Sequence, residues 1–283
     1  MSIQWFPGHM TKTRRNIEQD IKLVDAVIEL LDARIPLASR NPDIDMLTRG
    51  KPRVTVLNKA DMADGARTDE WVKYFSENGV KVCVTDCQSG RGTAAVLGAV
   101  RDVLAEKIRA NEQRGIKKSI RLMIVGVPNV GKSSFINKIS GKSSTKVGDK
   151  PGVTRGKQWI RLGSGYELLD TPGILWPKFE DESVGLRLAF TGAIKDEIVD
   201  PEELACSLIG TLRAGGYEKN LCERYKLPEF SGEITTYEIL ELIGKNRGFL
   251  RSGGVIDTER AAKILLDEFR GCRLGKITLE RAE

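Results

Sequence analysis

The most informative segment of the chain is Gly126-Val127-Pro128-Asn129-Val130-Gly131-Lys132-Ser133. It matches the G-x-x-x-x-G-K-S pattern of a phosphate-binding loop in full. The apolar run Ile120–Val125 before it predicts a strand, and the segment Lys132–Ile139 after it predicts a helix. Such a match can arise by chance in an unrelated loop, but the strand and the helix supply the context that the motif requires. The sequence therefore predicts a phosphate site.

The chemistry of this loop assigns roles to its polar positions. Its glycines allow backbone N–H groups to turn toward a β-phosphate, and the following helix adds the positive end of its dipole. We expect the residues from Asn129 to Ser134 to surround the phosphates. Lys132 would bridge the β- and γ-phosphates, and the Ser133 hydroxyl would ligate Mg²⁺.

A second motif, Asp170-Thr171-Pro172-Gly173, follows the predicted strand Tyr166–Leu169. The Asp170 carboxylate can hold Mg²⁺ through water, and the Gly173 N–H can meet a γ-phosphate. The D-x-x-G pattern is weak alone because it occurs in many turns, but its place after a hairpin strand strengthens it. Between the two motifs, Thr154 is the candidate switch threonine on Mg²⁺. The alternative for the surrounding basic segment, residues 141–157, is a solvated loop, and switch segments can be both.

The tetrad Asn58-Lys59-Ala60-Asp61 follows the predicted strand Arg53–Leu57. A carboxylate such as Asp61 can accept two hydrogen bonds from guanine, from N1–H and from the exocyclic amine, and adenine offers no such pair. Asn58 can satisfy groups around the base edge, and the Lys59 stem can lie over the base. Taken alone, the tetrad would be better explained as a turn with a helix cap at Asp61. Asp86-Cys87, after the predicted strand Val80–Thr85, lies where loop amides would back the guanine.

The order of these motifs is unusual, because the guanine-type tetrad comes before the phosphate loop. In the ordinary Ras-like order the phosphate loop comes first. A complete set in rotated order predicts a circularly permuted domain, and alternating strands and helices predict a doubly wound, mostly parallel α/β sheet. Further predicted elements are a helix at Thr11–Asp20, a strand at Val24–Leu31, helices at Asp69–Asn78 and Thr93–Gln113, and a hairpin formed by Lys157–Leu162 and Tyr166–Leu169.

The pattern changes after Leu188, where only helices are predicted, at Pro201–Ala214, Thr235–Gly244 and Asp257–Phe269. We expect a nucleotide-binding domain at residues 1–188 and a smaller all-helical domain at residues 190–283. The chain carries 45 basic and 39 acidic side chains, a net charge of +6, but residues 190–283 hold 14 basic and 17 acidic ones. The positive excess therefore lies on the nucleotide-binding part. This positive charge would suit binding to a polyanion such as RNA. The alternative is that the basic side chains form only a solvated surface.

Composition narrows the class of protein. The 283 residues are 40% hydrophobic and 30% charged, enough for an α/β domain with a smaller companion. No run of about 18 apolar residues occurs, and the N-terminus lacks signal and transit features, so we expect a cytoplasmic protein that does not bind membranes. The five cysteines contain no C-x-x-C, and His9 is the single histidine, which argues against a zinc site.

These motifs resemble those of the circularly permuted ribosome-assembly GTPases, and in detail those of the RbgA/YlqF family. The resemblance covers essentially the whole chain. It implies late maturation of the large ribosomal subunit in bacteria, with rRNA contacts from both domains. The segments that carry it, besides the phosphate loop, are Trp5-Phe6-Pro7-Gly8-His9-Met10, Asp32-Ala33-Arg34-Ile35-Pro36, Asp170-Thr171-Pro172-Gly173-Ile174-Leu175-Trp176-Pro177 and Ser252-Gly253-Gly254-Val255-Ile256-Asp257.

The resemblance also implies two further site residues. Ras-like enzymes orient water with a glutamine just after D-x-x-G, where this chain has Ile174. The resemblance implies that His9 is the catalytic substitute, and permutation brings the N-terminal segment into the same neighbourhood; the alternative is a capping or packing histidine in a Pro-Gly turn. Asn129 resembles the asparagine that helps to hold K⁺ near the phosphates in K⁺-stimulated relatives.

Together these features predict a monomeric GTPase that uses GTP, Mg²⁺ and K⁺. It would bind the precursor of the large ribosomal subunit in the GTP state, be stimulated there, and leave after hydrolysis to GDP. One alternative is an RNA-binding scaffold for which hydrolysis is incidental. Another is a signalling GTPase that acts on a protein partner, which the acidic balance of the helical domain would suit. Asp61 argues against an ATPase.

Overall fold

A computed structural model describes residues 10–48, 50–116, 118–141, 146–147, 159–162, 165–169, 171, 181–230 and 233–282. Within these ranges seven strands form one sheet. They are β1 (Ala26–Asp32), β2 (Arg53–Asn58), β3 (Lys81–Val84), β4 (Ile120–Val125), β5 (Lys146–Val147), β6 (Trp159–Leu162) and β7 (Tyr166–Leu169). Over the same ranges, no helix has the length and apolar character needed to cross a bilayer.

The sheet has the order β3-β2-β1-β4-β7-β6-β5, with β4 at its centre. Strands β3, β2, β1, β4 and β7 run parallel to one another, whereas β6 is antiparallel to both of its neighbours, β7 and β5. This confirms the predicted mostly parallel α/β sheet. Every residue of β1 is buried, which fits a strand covered by helices on both faces. Asp32 pairs in register with Asn58, so the carboxyl ends of β1 and β2 lie side by side.

Six helices in the described ranges accompany the sheet: α1 (Met10–Asp20), α2 (Ile44–Thr48), α3 (Gly65–Glu77), α4 (Thr93–Val103), α5 (Ala105–Gln113) and α6 (Lys132–Ser140). The predicted start of α3 at Asp69 was too late. The Asp64 carboxylate caps this helix by accepting from the Arg67 N–H at 3.2 Å, and it therefore begins at Gly65.

The prediction of one helix at Thr93–Gln113 was wrong, because the chain bends at Leu104. This residue leaves the helical region at φ −106° and ψ 8°, and its side chain is buried in the core. Helix α4 buries one face against the sheet, whereas α5 buries none of its residues. The helix is thus interrupted at Leu104, the last fully buried residue of the segment, and Ile108 of α5 is only partly buried against the core.

The C-terminal region consists of helices α7 (Glu182–Phe190), α8 (Pro201–Ala214), α9 (Glu218–Tyr225), α10 (Thr236–Asn246) and α11 (Thr258–Arg270). Asp257 caps α11, as predicted, and accepts from the Arg260 N–H at 3.1 Å. Helices α7 and α9 were not predicted. The expected domain boundary at Leu188 falls inside α7, whose Leu188 and Phe190 are buried with α8 and α11 in one core.

After α11 the chain turns back and lies in extended form against the nucleotide-binding half. The Ile277 N–H donates to the Met62 carbonyl at 3.1 Å, and the Leu279 N–H donates to the Arg34 carbonyl at 2.8 Å. The Glu280 carboxylate accepts from the backbone of residues 37 and 38 at 2.7 and 3.0 Å. We refer to residues 276–281 as the C-terminal tail.

Candidate guanine nucleotide site

The phosphate loop joins β4 to α6 at the carboxyl edge of the sheet. Lys132, the first residue of α6, folds its ammonium group back over the loop and donates to the carbonyls of Gly126 at 3.0 Å and Val127 at 2.9 Å. Ser133 and Ser134 are exposed at the start of the helix. The ammonium group of Lys132 and the exposed Ser133 thus both lie at the N-terminus of α6, and these are the residue types that phosphate and Mg²⁺ chemistry uses.

Two glycines of the loop are required by close approach. A Cβ on Gly126 would lie 2.6 Å from the carbonyl oxygen of Leu30, in the neighbouring strand β1. A Cβ on Gly131 would lie 2.4 Å from Nδ2 of Asn58, and Gly131 also has a φ of +103°. The phosphate loop is therefore fitted against the guanine-type tetrad and cannot accept side chains at these positions.

Asn58 joins the two motifs, although 72 residues separate them from one another. Its Nδ2 donates to the Val130 carbonyl at 2.8 Å. Its Oδ1 accepts from the Thr85 hydroxyl at 3.1 Å and from the Cys87 N–H at 3.3 Å. Asn58 is 2% exposed, so these bonds are shielded from water. The two motifs thus lie side by side despite their rotated order. The bonds that the Asn58 side chain makes are to the protein, whereas the sequence led us to expect contacts with the base edge.

The remainder of the tetrad forms the open part of the site. Ala60 is held to the end of β3 through its N–H, which donates to the Thr85 carbonyl at 3.2 Å. Asp61 is half-buried, and its carboxylate accepts no hydrogen bond from the described part of the chain. A partly buried carboxylate with open acceptors suits the two donors of guanine. The open acceptors of Asp61 therefore fit the donors of a guanine base.

Lys59 takes part in a buried charge cluster that the sequence did not reveal. Lys59 has a φ of +62°, and its ammonium group donates to Asp32 Oδ2 at 2.9 Å. The Arg34 guanidinium, only 2% exposed, holds the same carboxylate through Nε at 2.9 Å and Nη2 at 2.7 Å. The available signal was the position of Asp32 at the carboxyl end of the strand next to the tetrad.

The charges of Asp32, Arg34 and Lys59 shift one another's pKa values. Burial alone would raise the pKa of Asp32, but the Arg34 guanidinium and the Lys59 ammonium outweigh burial and hold that pKa well below its usual value. Burial lowers the pKa of Lys59, and Asp32 opposes this effect. Asp32 is therefore ionised at neutral pH, which makes it a fixed anchor for the lysine.

Asp86 and Cys87 stabilise the loop after β3. The Asp86 carboxylate accepts from the N–H groups of Gln88 at 2.8 Å and Ser89 at 3.2 Å. The Cys87 N–H is bonded to Asn58, and burial raises the pKa of the Cys87 thiol to about 11. The amides of residues 87 to 89 thus make bonds inside the protein. The thiol stays neutral, and the sequence expectation that this loop backs a guanine remains a prediction.

Four expected site residues, His9, Thr154, Asp170 and Gly173, lie outside the described residues. Thr171, within the D-x-x-G motif, is described and 4% exposed. Its hydroxyl donates to the carbonyl of Ile124, in strand β4 two residues before the phosphate loop. The second motif is thus attached beside the first.

Asn129 connects the phosphate loop to the C-terminal helices. Its Nδ2 donates to the Gly192 carbonyl, just after α7, at 2.5 Å. Like Lys59, Asn129 has a positive φ, +57°. The loop expected to hold phosphates is therefore in direct contact with the helical region.

The chain is similar to known GTPases. A family profile described as 50S ribosome-binding GTPase matches residues 121–207. Ribosome biogenesis GTPase A of Bacillus cereus is 50% identical, with 100% of this chain and 95% of the relative aligned. The protein of the same name from Thermotoga maritima is 33% identical, with 99% and 95% aligned.

Solved structures show the same architecture. The GDP-bound structure of TM YlqF has a TM-score of 0.68 and 29% identity, covering 94% of this chain and 99% of that one. The structure of GNP-bound YlqF from T. maritima gives the same score and identity, with 96% and 99% covered. With full-length identity of 50% and a guanine tetrad joined to a phosphate loop, the chain belongs to the ribosome biogenesis GTPase A family and hydrolyses GTP on a circularly permuted P-loop domain.

Proposed function

We propose that this GTPase is a late assembly factor for the large ribosomal subunit. It binds the precursor particle in the GTP state, contacts its rRNA, and leaves after hydrolysis that the particle stimulates. The observation that carries the proposal is identity that extends over the whole chain, helices α7–α11 included, with relatives named for ribosome biogenesis. Such a particle is cytoplasmic, and we propose that the protein acts there as a monomer.

Each half has its own task in this proposal. The sheet with α1–α6 binds and hydrolyses the nucleotide, and the helical domain, which we now begin at α7, contacts the particle. Asp61 selects guanine and the Lys59 stem covers the base. Lys132 neutralises the β- and γ-phosphates, while the Ser133 hydroxyl holds Mg²⁺, whose charge stabilises the transferred phosphoryl group. Asp170 and Thr154 complete the Mg²⁺ site, and Gly173 contacts the γ-phosphate.

His9 is the proposed catalytic residue, because Ile174 has no group that can orient water. A His9→Ala protein should bind GTP with unchanged affinity and lose the turnover that large subunits stimulate. A Met10→Ala protein is the matched control, one position along the chain. If stimulated turnover survives in His9→Ala, the assignment is wrong.

We propose K⁺ as a second cation, held through Asn129. Since Nδ2 of Asn129 is bonded to Gly192, the Oδ1 atom is the one left to ligate a cation. Rates in equal concentrations of KCl and NaCl test this directly. Equal rates in the two salts would refute it.

The deciding experiment measures GTP turnover with and without purified large subunits, at two KCl concentrations, alongside co-sedimentation with ribosomal particles. We expect GTP-dependent co-sedimentation and stimulated turnover. Particle binding should weaken steeply as salt rises, because basic side chains displace counterions from RNA. Absence of co-sedimentation would favour a signalling GTPase. Subunit maturation supported by a hydrolysis-dead variant would favour an RNA-binding scaffold.

A further inference from the structure

Asp32, at the end of β1, lies beside the guanine tetrad without being part of it. Its Oδ2 atom accepts from both the Lys59 ammonium at 2.9 Å and Nη2 of Arg34 at 2.7 Å. Its Oδ1 atom accepts from the Arg34 N–H at 3.1 Å and from Nε at 2.9 Å. Asp32 and Arg34 are each 2% exposed. The ammonium group of Lys59 is therefore tied to a fixed point, and the stem between Cα and Nζ has little freedom.

Arg34 connects this ion pair to the C-terminal region. Its guanidinium lies 5.6 Å from the centre of the Phe269 ring and donates to the Arg270 carbonyl at 3.5 Å, both at the end of α11. Its own carbonyl accepts from the Leu279 N–H of the tail at 2.8 Å. The anchor of Lys59 is thus held between the sheet and the helical region.

We propose that Asp32 is a positioning residue for guanine binding, which fixes the Lys59 stem over the base and is itself held by Arg34 against helix α11. The proposal rests on the base-covering role of Lys59 given above. Asp32 does not touch the nucleotide. It acts by removing the conformational freedom that Lys59 would otherwise lose on binding.

The consequence is a specific pattern of defects. In Asp32→Asn the amide cannot hold the ammonium as strongly, because the charge-assisted bond is lost. Lys59 then swings toward water, and its stem no longer covers the base. GDP and GTP affinity should both fall by about tenfold, or about 1.4 kcal/mol. The KM for GTP should rise with kcat unchanged at saturating GTP, since the phosphate side is intact.

The test measures the affinity of purified full-length protein for ribose-labelled fluorescent GDP. The variants are Asp32→Asn, Lys59→Met and the double variant. If Asp32 acts through Lys59, the double variant should bind GDP no more weakly than Lys59→Met alone. An equal further loss in the Lys59→Met background would overturn the proposal, and so would wild-type affinity in Asp32→Asn.

Glu29→Gln is the matched control, because Glu29 is another 2%-exposed carboxylate on β1, paired with Arg53 at 3.3 Å and Arg40 at 3.6 Å. It should bind GDP like the wild type. A loss of GDP affinity there equal to that of Asp32→Asn would mean that any buried charge on β1 matters, and would overturn the proposal. If Asp32→Asn does not fold, Asp32→Glu keeps the charge but moves the carboxylate; it should raise the KM for GTP, and an unchanged KM would again overturn the proposal.

Inosine diphosphate separates positioning from general damage to the site. It lacks the exocyclic amine of guanine, which the Lys59 stem does not touch. Asp32→Asn should therefore weaken GDP and IDP by the same factor. A loss confined to GDP would mean that Asp61 had moved, and would overturn the proposal. If the Asp61→Asn protein still binds GDP normally, the guanine-site assignment itself fails, whatever Asp32 does.

Discussion

The C-terminal region contacts the nucleotide site on two sides, and the two contacts differ in kind. On the base side, the tail adds backbone bonds from Ile277 and Leu279, and Arg34 is buried against α11. On the phosphate side, the contact that the described residues show is the hydrogen bond from Asn129 to the Gly192 carbonyl, and Asn129 is exposed. The base-side contact is therefore the more buried of the two, and the phosphate-side contact is open to water.

Both contacts converge on the end of α11. The Arg270 carbonyl accepts from Arg34, while the Arg270 guanidinium donates to the carbonyls of Ala189 at 2.9 Å and Phe190 at 3.1 Å and pairs with Asp196. Arg270 thus holds the end of α7, just before Gly192, and also accepts the bond from Arg34 on the base side.

The largest expected effect is at the base itself. Asp61→Asn replaces two charge-assisted hydrogen bonds, each worth about 1.5–3 kcal/mol, so GDP affinity should fall by roughly 10²–10⁴. Xanthine carries an oxygen where guanine has the amine, and the new amide can donate to it, so XDP affinity should rise. Calorimetric titration with both nucleotides measures this. Asp64→Asn, the same change at a helix cap, should leave GDP affinity as it was; a similar loss there would contradict the assignment.

The junction between the two sides is tested by Gly131→Ala. The new Cβ would lie 2.4 Å from Nδ2 of Asn58 at a φ of +103°, so the bond from Asn58 to Val130 should be displaced. We expect a loss of about 1–3 kcal/mol in the free energy of unfolding, measured with urea, and weaker GDP binding. Gly65→Ala is the control, since its Cβ meets nothing within 4 Å. Equal stability of the two variants would show that the junction is not tightly fitted.

The local parts of this architecture could be predicted from the sequence. The strand Ile120–Val125 was predicted with its observed bounds, because an apolar run followed by a phosphate loop is a local pattern. Helix α8 was also predicted with its observed bounds, since Asp200 caps it and Pro201 starts it. The contact between the tetrad and the phosphate loop was expected because a complete set of motifs in rotated order indicates one permuted domain.

The parts that were missed depend on contacts between distant segments. The ion pair of Asp32 with Lys59 requires the register that places Asp32 opposite Asn58, and nothing in either segment specifies it. The interruption at Leu104 occurs without a glycine or proline, so no helix-breaking residue marks it in the sequence. The return of the tail to Arg34 joins residues 245 positions apart, which no periodicity reveals.

A smaller effect is expected from Glu280, the buried carboxylate of the tail. Burial raises its pKa above the ordinary value, although Arg187 and the N–H groups of residues 37 and 38 oppose this, and Asp32 adds to the rise. A raised folded pKa means stability that is present below about pH 4.5 and lost as pH rises through the folded value. The difference in unfolding free energy between wild type and Glu280→Gln should therefore shift against the wild type from pH 4 to pH 8. A difference independent of pH would refute this.

The smallest effect is expected on the phosphate side. Asn129→Ala removes the bond to Gly192, but both groups can bond to water there, so the free energy of unfolding should change by about 1 kcal/mol or less, mostly from placing alanine at a φ of +57°. Asn58→Ala is the matched comparison, because its Nδ2 also donates to a backbone carbonyl. That variant leaves buried groups at Thr85, Cys87 and Val130 without partners, so it should cost about 1–3 kcal/mol or more. If urea denaturation gave equal losses, the phosphate-side contact would contribute as much to stability as the buried bonds of Asn58.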